Sequence, residues 1–237
     1  GEARRHVAWA QPRLREREAV DRGRSLGEAV ADGRYAAAFG VRLPCRETVL
    51  ALPGGLAAEL DARAATLRVS PFTLCIAAYA LAIREEVGIE VPRVLSPMAN
   101  RGDPALEEDV ACTIDLRVLE CDARGRASLD DVARRLHAVA EAERDAGPMA
   151  LAAVARAARE VCPAAGDALL QFAMVYRIDT RKPRTLGGAS AGVVDIPTST
   201  GKFGLLIGFE RNGTDMVCRL EGPAAGAARD RAERIAR

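Results

Sequence analysis

Few residues in this sequence could carry out general acid–base or nucleophilic chemistry, because it contains only two histidines, His6 and His137. A nucleophilic serine or cysteine needs a paired base and a group that orients that base. His137 falls on the polar stripe of a predicted helix, together with Asp130, Arg134 and Glu141. This pattern predicts a solvated surface histidine, so the sequence nominates no nucleophile–base pair.

Metal and phosphate sites are also not indicated by the residue spacing. The six cysteines are scattered and form no Cys-x-x-Cys pair, which favours reduced core cysteines of a cytosolic protein over a zinc site. They are Cys45, Cys75, Cys112, Cys121, Cys162 and Cys218. Gly187-Gly188 and the segment 199–202 contain phosphate-loop residue types but lack the spacing and the following helix. We therefore predict loops there, and no bound metal or cofactor.

The composition limits the class of protein. The chain has 237 residues, 49% of them hydrophobic, and a formal net charge of +1. These values predict one large globular domain, or one lobe with extensions, and give no reason to expect nucleic acid as a partner. No apolar run is long enough to span a bilayer. The first residues are Gly-Glu rather than Met, which we interpret as a fragment.

A buried helix is the predicted centre of the fold. The residues from Phe72 to Ile83 are apolar on every face, and a helix that is apolar all round is buried all round. Ser70 suits an N-cap followed by Pro71 at the first helical position, and Gly88 suits the end of the helix. The sequence therefore predicts a core helix over 71–87.

A strand with one buried face is predicted over 110–118, because apolar and polar residues alternate strictly there. One predicted face is buried, and Thr113 and Arg117 lie on the opposite, open face. The predicted buried residues are Val110, Cys112, Ile114, Leu116 and Val118.

The remaining elements alternate between strands and amphipathic helices, which predicts an α/β fold with a mixed β-sheet and helices packed on it. Asn212-Gly213 predicts a type I′ hairpin turn. Ser128 predicts a helix N-cap, and Asp130/Arg134 and Asp131/Arg135 are predicted i,i+4 pairs. The predicted strands are 48–52, 91–98, 172–178, 202–209 and 216–220, and the predicted helices begin near residues 8, 56, 128, 149 and 224.

Several of these segments resemble a known family. Pro97-Met98-Ala99-Asn100-Arg101 resembles a Pro-Val-Ala-Asn-Arg-like turn, and Thr113 and Arg117 stand in register with a following Thr-x-x-x-Arg motif. The strands over 172–178 and 202–209 and the segment around Trp9 resemble further motifs of the same family. These motifs belong to the second half of condensation domains of nonribosomal peptide synthetases.

The resemblance implies a chloramphenicol-acetyltransferase-like lobe. Residues 1–40 would be a helical leader from a preceding lobe, and residues 41–237 the C-terminal condensation lobe. Such domains join a carrier-protein-bound acyl or peptidyl donor to an aminoacyl acceptor. The family's catalytic His-His-x-x-x-Asp-Gly motif lies on the preceding lobe and is not in this sequence. The chain alone is therefore expected to be inactive.

The resemblance also implies the partners and the site residues. The expected partners are the N-terminal lobe, peptidyl carrier proteins whose phosphopantetheine carries the substrates, and a homo-oligomer, in a cytoplasmic setting. Asn100, Arg101, Thr113 and Arg117 are carried over as architectural residues, or as residues that shape the tunnel where the phosphopantetheine arm enters. Two alternatives stay open: a non-catalytic docking module that recruits a carrier protein or tailoring enzyme, and a diverged acyltransferase.

Overall fold

The computed structural model describes residues 16–35, 38–41, 44–99, 110, 114–145, 149–178, 184–192, 196 and 199–237. These residues form strands and helices in the alternating order that the sequence predicts. The strands are β1 (Cys45–Ala51), β2 (Arg93–Ala99), β3 (Ile114–Glu120), β4 (Phe172–Ile178), β5 (Arg184–Leu186), β6 (Ala189–Ala191), β7 (Leu205–Asn212) and β8 (Asp215–Pro223). The helices are α1 (Glu16–Ala31), α2 (Leu56–Leu67), α3 (Pro71–Val87), α4 (Leu129–Asp145), α5 (Leu151–Val161), α6 (Ala165–Ala168) and α7 (Gly226–Ile235).

Six strands form one mixed sheet in the order β1-β8-β7-β4-β2-β3. Strands β2, β4 and β7 run parallel to one another, and the remaining neighbours are antiparallel. β5 and β6 pair only with each other, as a small hairpin. Helices α2, α3, α4 and α7 pack on one another and on this sheet. The predicted α/β fold with a mixed sheet and helices packed on it is confirmed.

Helix α3 lies at the centre of the core, as predicted. The Ser70 side chain accepts a hydrogen bond from the Thr73 amide, Pro71 occupies the first turn, and Gly88 ends the helix with φ 81°. The Tyr79 hydroxyl donates to the carbonyl oxygen of Leu205, and the Tyr79 ring meets the edge of Phe172. The caps and the apolar surface together fix the helix against β4 and β7, and the prediction is confirmed.

The predicted register of the strand over 110–118 is wrong. The observed β3 begins at Ile114, which is 62% exposed, and Val110 is fully exposed. Arg117, predicted on an open face, is only 2% exposed. Arg117, Val118 and Leu119 are buried in succession because this half of the strand is covered on both faces, so the period of two no longer marks a single core face. Cys112 and Thr113 lie outside the described residues.

The hairpin of β7 and β8 is confirmed, but its turn lies one residue later than predicted. Asn212 pairs with Asp215, so the two loop residues are Gly213 and Thr214. Gly213 has φ 64°, whereas Asn212 does not have the positive φ that a type I′ turn at Asn212-Gly213 would need.

Helix α4 begins as predicted, and its surface ion pairs differ from the prediction. The Ser128 hydroxyl donates to the Asp131 carboxylate and accepts a hydrogen bond from the Asp131 amide, as in a capping box. Asp130 pairs with Arg63 of α2, and Asp131 pairs with Arg134 at i,i+3. The expected i,i+4 pairs do not form, because Asp130 pairs with the neighbouring helix and Arg135 donates to the carbonyl oxygen of Asp122.

Helix α1 packs tightly along α5. Ala19 and Leu26 are completely buried, and Gly23 and Gly27 lie against the backbone of α5. Residues 16–31 therefore belong to the packed lobe. The division of the chain at residue 40 stays a prediction, and residues 1–15, with Trp9, lie outside the described residues.

Arg22 of α1 closes the edge of the sheet at β3. Its guanidinium donates to the carbonyl oxygen of Val118 and pairs with the buried carboxylate of Glu143 on α4. Edge strands offer unpaired carbonyl groups to other chains, and a charged side chain blocks that contact.

Within the described part of the chain, no single helix is long and apolar enough to cross a membrane; α2 and α3 reach that length only together, with a bend of 98° between them.

Candidate functional site

The sheet is split between β2 and β4. The two strands pair only at Val94–Phe172 and Leu95–Ala173, although each continues for several residues beyond. On its other side β4 pairs with β7 along its whole length. The separation leaves an open groove of about 450 Å³. It is lined by Phe72, Ser96, Pro97, Met98, Ile114, Val175 and Tyr176.

The groove lies at the carboxyl ends of parallel strands. β2, β4 and β7 run in the same direction, so their carboxyl ends meet at one edge of the sheet. In open α/β sheets this edge, at a point where the strand order changes, is the usual place for a ligand. The first turn of α3 contributes Phe72 to one wall. The walls are mostly apolar, and the groove is open to solvent.

Part of the sequence-predicted turn lines this groove. Pro97 and Met98 begin the predicted Pro-x-Ala-Asn-Arg turn, and both line the groove. Asn100, Arg101 and Thr113 lie outside the described residues.

Arg117 is buried beneath the groove. It pairs across the sheet with Ser96, which lines the groove, and its Nε lies 3.6 Å from Oδ2 of Asp115. Asp115 also accepts a hydrogen bond from the Met149 amide at 3.3 Å, which ties β3 to the residues that lead into α5. The expected open-face position of Arg117 is therefore wrong, and a direct surface contact by this side chain is excluded. Its influence on the groove, as a support of the wall, stays a prediction.

A second concavity lies on the sheet face that bears Val175, Leu206 and Arg219, which we call the open face. It encloses about 330 Å³ above Gly208, and we call it the Gly208 cavity. Val175 lines both the groove and this cavity, so the two are adjacent. The Gly208 cavity is lined by Glu47, Val175, Arg177, Ile196, Lys202, Phe203, Leu206, Gly208, Glu210, Arg219 and Glu221.

The charged side chains of the Gly208 cavity form a connected ion network across four strands. Glu210 of β7 is only 2% exposed and pairs with Arg177 at 3.1 Å and with Arg219 at 2.9 Å. Arg219 also pairs with Glu47 of β1 at 2.6 Å. A buried carboxylate is tolerated when cations surround it in this way. Sequence reasoning missed this network because its members are far apart in the chain.

Glu221 is the carboxyl group of the Gly208 cavity whose pKa is raised by its surroundings. It stands directly opposite Glu47 in the β1–β8 ladder. Burial raises the pKa of the Glu221 carboxyl, the Glu47 charge raises it further, and the charge and amide of Lys202 partly oppose them. Like charges directly opposite in a sheet are destabilising. This pair therefore costs stability in the folded lobe.

Neither concavity is lined by a histidine among the described residues. His137 lies half-buried on α4 and lines neither the groove nor the Gly208 cavity. His6 lies outside the described residues. Among residues 16–237 with their gaps, no cluster of three His, Cys, Asp or Glu side chains could hold a metal ion.

Comparison with known proteins gives one curated relative and many solved structures. No family model matches the chain. Fumosorinone synthetase of Cordyceps fumosorosea (strain ARSEF 2679) is 33% identical over 144 residues, which is 61% of this chain and 3% of that synthetase. The chain therefore spans only a small part of this relative.

Two solved structures illustrate the shared fold. The first condensation domain of the calcium-dependent antibiotic synthetase, in complex with a substrate analogue, superposes with a TM-score of 0.64 at 15% identity, over 98% of this chain and 54% of that one. A four-domain nonribosomal peptide synthetase bound to AMP and glycine gives 0.71 at 11% identity, over 95% of this chain and 19% of that one. At these identities the likeness establishes the fold. The chain has the fold of about half of a condensation domain, which confirms the predicted resemblance.

Proposed function

We propose that this chain, which has the fold of about half of a condensation domain, is the C-terminal lobe of such a domain in a nonribosomal peptide synthetase. In this role it forms one wall of the tunnel in which an acyl or peptidyl donor is joined to an aminoacyl acceptor. The observation that carries the proposal is the groove between β2 and β4. It begins at the Pro97–Met98 segment, where the sequence resembles the family turn.

The groove suits the phosphopantetheine arm of a carrier protein. Such an arm is long and thin, with methylene segments between its polar groups, and the groove offers apolar walls such as Pro97, Met98 and Val175 beside the buried Ser96. Ligand sites in proteins combine apolar walls with a few polar groups in this way. Because Arg117 is buried, Arg101 is the better candidate for contact with the phosphate, and Arg117 supports the wall from below.

The proposal divides the reaction between two lobes. The acceptor amine must lose a proton when it attacks the thioester, and a positioned base typically contributes about 10²–10⁴-fold to such a step. His137 lines neither concavity, so the base is assigned to a companion lobe that carries the His-His-x-x-x-Asp-Gly motif. Carrier-protein binding and a cytoplasmic location belong to the same proposal.

The test is an intact-mass assay of the acceptor carrier protein, with loaded donor and acceptor carriers. We expect no product with this chain alone and product when a separately expressed companion lobe is added. Ile114→Trp places a bulky ring at the exposed rim of the groove and should slow turnover about tenfold or more. A tenfold decrease corresponds to an activation free energy raised by about 1.4 kcal/mol. Leu129→Trp, on the half-exposed start of α4, is the matched control and should leave the rate unchanged.

Each other outcome selects one of the alternatives. Product at an enzymatic rate from the chain alone, lost in His137→Ala, would identify a diverged acyltransferase. Carrier binding without product in the presence of the companion lobe would identify a docking module.

A further inference from the structure

One strand residue that lines the Gly208 cavity, on the open face, has no side chain. Gly208 lies between Leu206 and Glu210 on the same face of β7, and its φ lies outside the left-handed region. A Cβ added there would lie 3.6 Å from Cβ of Arg219, an ordinary contact. Neither backbone conformation nor packing therefore requires glycine. A glycine inside a strand commonly marks close approach of a ligand or of another backbone.

Ion pairs connect most of the charged side chains around this cavity. Arg177 and Arg219 surround Glu210, and Arg219 also binds Glu47. Glu221 contributes a further carboxylate directly opposite Glu47, with a hydrogen bond from the Lys202 amide. The β1–β8 side of the cavity therefore holds two adjacent carboxylates, of which Glu47 forms an ion pair with Arg219 and Glu221 feels the charge of Lys202.

Apart from the exposed Lys202, the remaining walls are apolar. Val175, Phe203 and Leu206 line the cavity. A volume near 330 Å³ falls at the lower end of the range for small-molecule sites. The cavity thus combines an apolar lining with an acidic corner.

We propose that the Gly208 cavity binds a primary ammonium group carried on an apolar body, with the ammonium group at Glu47 and Glu221 and the apolar body against Val175, Phe203 and Leu206. An ammonium ion is compact and carries three donors, so it can bridge two carboxylates that face each other across a strand pair. The raised pKa of Glu221 supports this assignment, because a bound cation relieves the repulsion from Glu47 that contributes to the shift.

This site stands on the cavity alone and does not depend on the proposed condensation role. Its position next to the groove, through the shared residue Val175, would place it within reach of an amine-bearing acceptor in that role. A free amine and an amine on a carrier-bound arm present the same chemistry. The experiment therefore uses the free amine first.

The probe is n-hexylamine, titrated into the ¹⁵N-labelled chain and followed by amide chemical shifts. We expect a saturable shift at Gly208 and Glu221, with a dissociation constant on the order of 1 mM for so small a ligand. 1-Hexanol has the same apolar body without the charge and should bind at least about tenfold more weakly than hexylamine. Hexanoate, which carries a negative charge, should not bind. Equal binding of hexanol and hexylamine would overturn the proposal.

Variants locate the binding. Glu221→Gln should weaken hexylamine binding about tenfold, as expected for the loss of one charge-assisted contact. Gly208→Val should abolish binding by placing a branched side chain inside the cavity. The matched controls are Glu59→Gln on the exposed face of α2 and Gly54→Val, where an added Cβ meets no atom within 4 Å. Unchanged binding by Gly208→Val, or the absence of a saturable shift in the parent, would refute the site. Neither result would affect the two-lobe turnover assay.

Discussion

Alanine at Gly23 or Gly27 tests how closely α1 is held against α5. A Cβ at Gly23 would collide with the carbonyl oxygen of Val154 and lie 2.7 Å from Cβ of Ala157. A Cβ at Gly27 would lie 2.5 Å from Cβ of Val161 and 2.8 Å from the carbonyl oxygen of Ala158. Real Cβ atoms do not approach other atoms so closely, so α1 must move away from α5 in either variant.

Two opposing effects set the size of the change. Alanine is about 0.8–1 kcal/mol more favourable than glycine in a helix interior, so propensity alone would stabilise both variants. Overpacking typically costs about 1–3 kcal/mol, and it is expensive here because two of the obstructing atoms are backbone oxygens that cannot rotate away. The steric cost prevails, and we expect each variant to lose about 1–2 kcal/mol of unfolding free energy.

The measurement is urea unfolding with thermal unfolding as a second probe. A loss of this size lowers the Tm by roughly 2–8 °C in a domain of 150–250 residues. Gly54→Ala is the matched control, since its added Cβ meets no atom within 4 Å. It should stay within about 0.5 kcal/mol of the parent. The double variant should lose less than the sum of the two single losses, because one displacement of α1 relieves both contacts.

A gain in stability would contradict this reasoning. If Gly23→Ala and Gly27→Ala were each about 1 kcal/mol more stable than the parent, helix propensity alone would be acting. Helix α1 would then not lie at the observed distance from α5. The result would also reopen the interpretation of residues 16–31 as an exposed leader.

Four further changes follow from the same structure. Glu221→Gln should be more stable than the parent at neutral pH, because the raised pKa of Glu221 means that folding disfavours the ionised carboxyl. This penalty is complete above the pKa of the folded state. The difference in Tm between variant and parent should therefore vanish as the pH falls below the pKa of the unfolded state. Ile114→Asp at the exposed start of β3 should lower the free energy of unfolding by less than about 0.5 kcal/mol, whereas Val118→Asp should lower it by on the order of 3 kcal/mol. Equal losses for the two variants in urea unfolding would show that the observed strand register is wrong. Arg22→Met leaves the Glu143 carboxylate buried without its arginine and should lower the free energy of unfolding by on the order of 2 kcal/mol. The double variant Arg22→Met/Glu143→Met should recover that stability. A double variant as unstable as the single one would argue against the Arg22–Glu143 ion pair. His137→Ala should match the parent in circular dichroism and in carrier-protein binding, and reduced carrier binding would place His137 at a functional surface.

Local signals in the sequence were enough to predict several elements. Helix α3 could be predicted because its N-cap residue, its first-turn proline and its terminal glycine lie next to the apolar run in the sequence and mark its two ends. The hairpin of β7 and β8 could be predicted for the same reason, although its turn lies at Gly213-Thr214. In each case the residues that fix the element lie within it or next to it.

The features that depend on distant partners could not be predicted. The spacing of Gly23 and Gly27 acquires its meaning only from α5, more than a hundred residues later. The burial of Glu210 depends on arginines from β4 and β8, and their alignment is fixed only by the strand register. The alternation over 110–118 assumed one covered face, whereas Arg117 and Val118 are both covered. The missing information in all three cases is which elements are neighbours in space.

The split between β2 and β4 links the sequence motif to the groove. Pro97 has no backbone N–H, and proline inside a sheet is confined to edges, strand starts and bulges. β2 is an internal strand, yet its pairing with β4 ends at Leu95, so from Ser96 onward it is an edge on that side. Pro97 is therefore placed where β2 gains an open side, and it lines the groove that opens there. The turn motif that begins at Pro97 thus starts where the sheet separates, which gives the resemblance a physical basis at the proposed substrate channel.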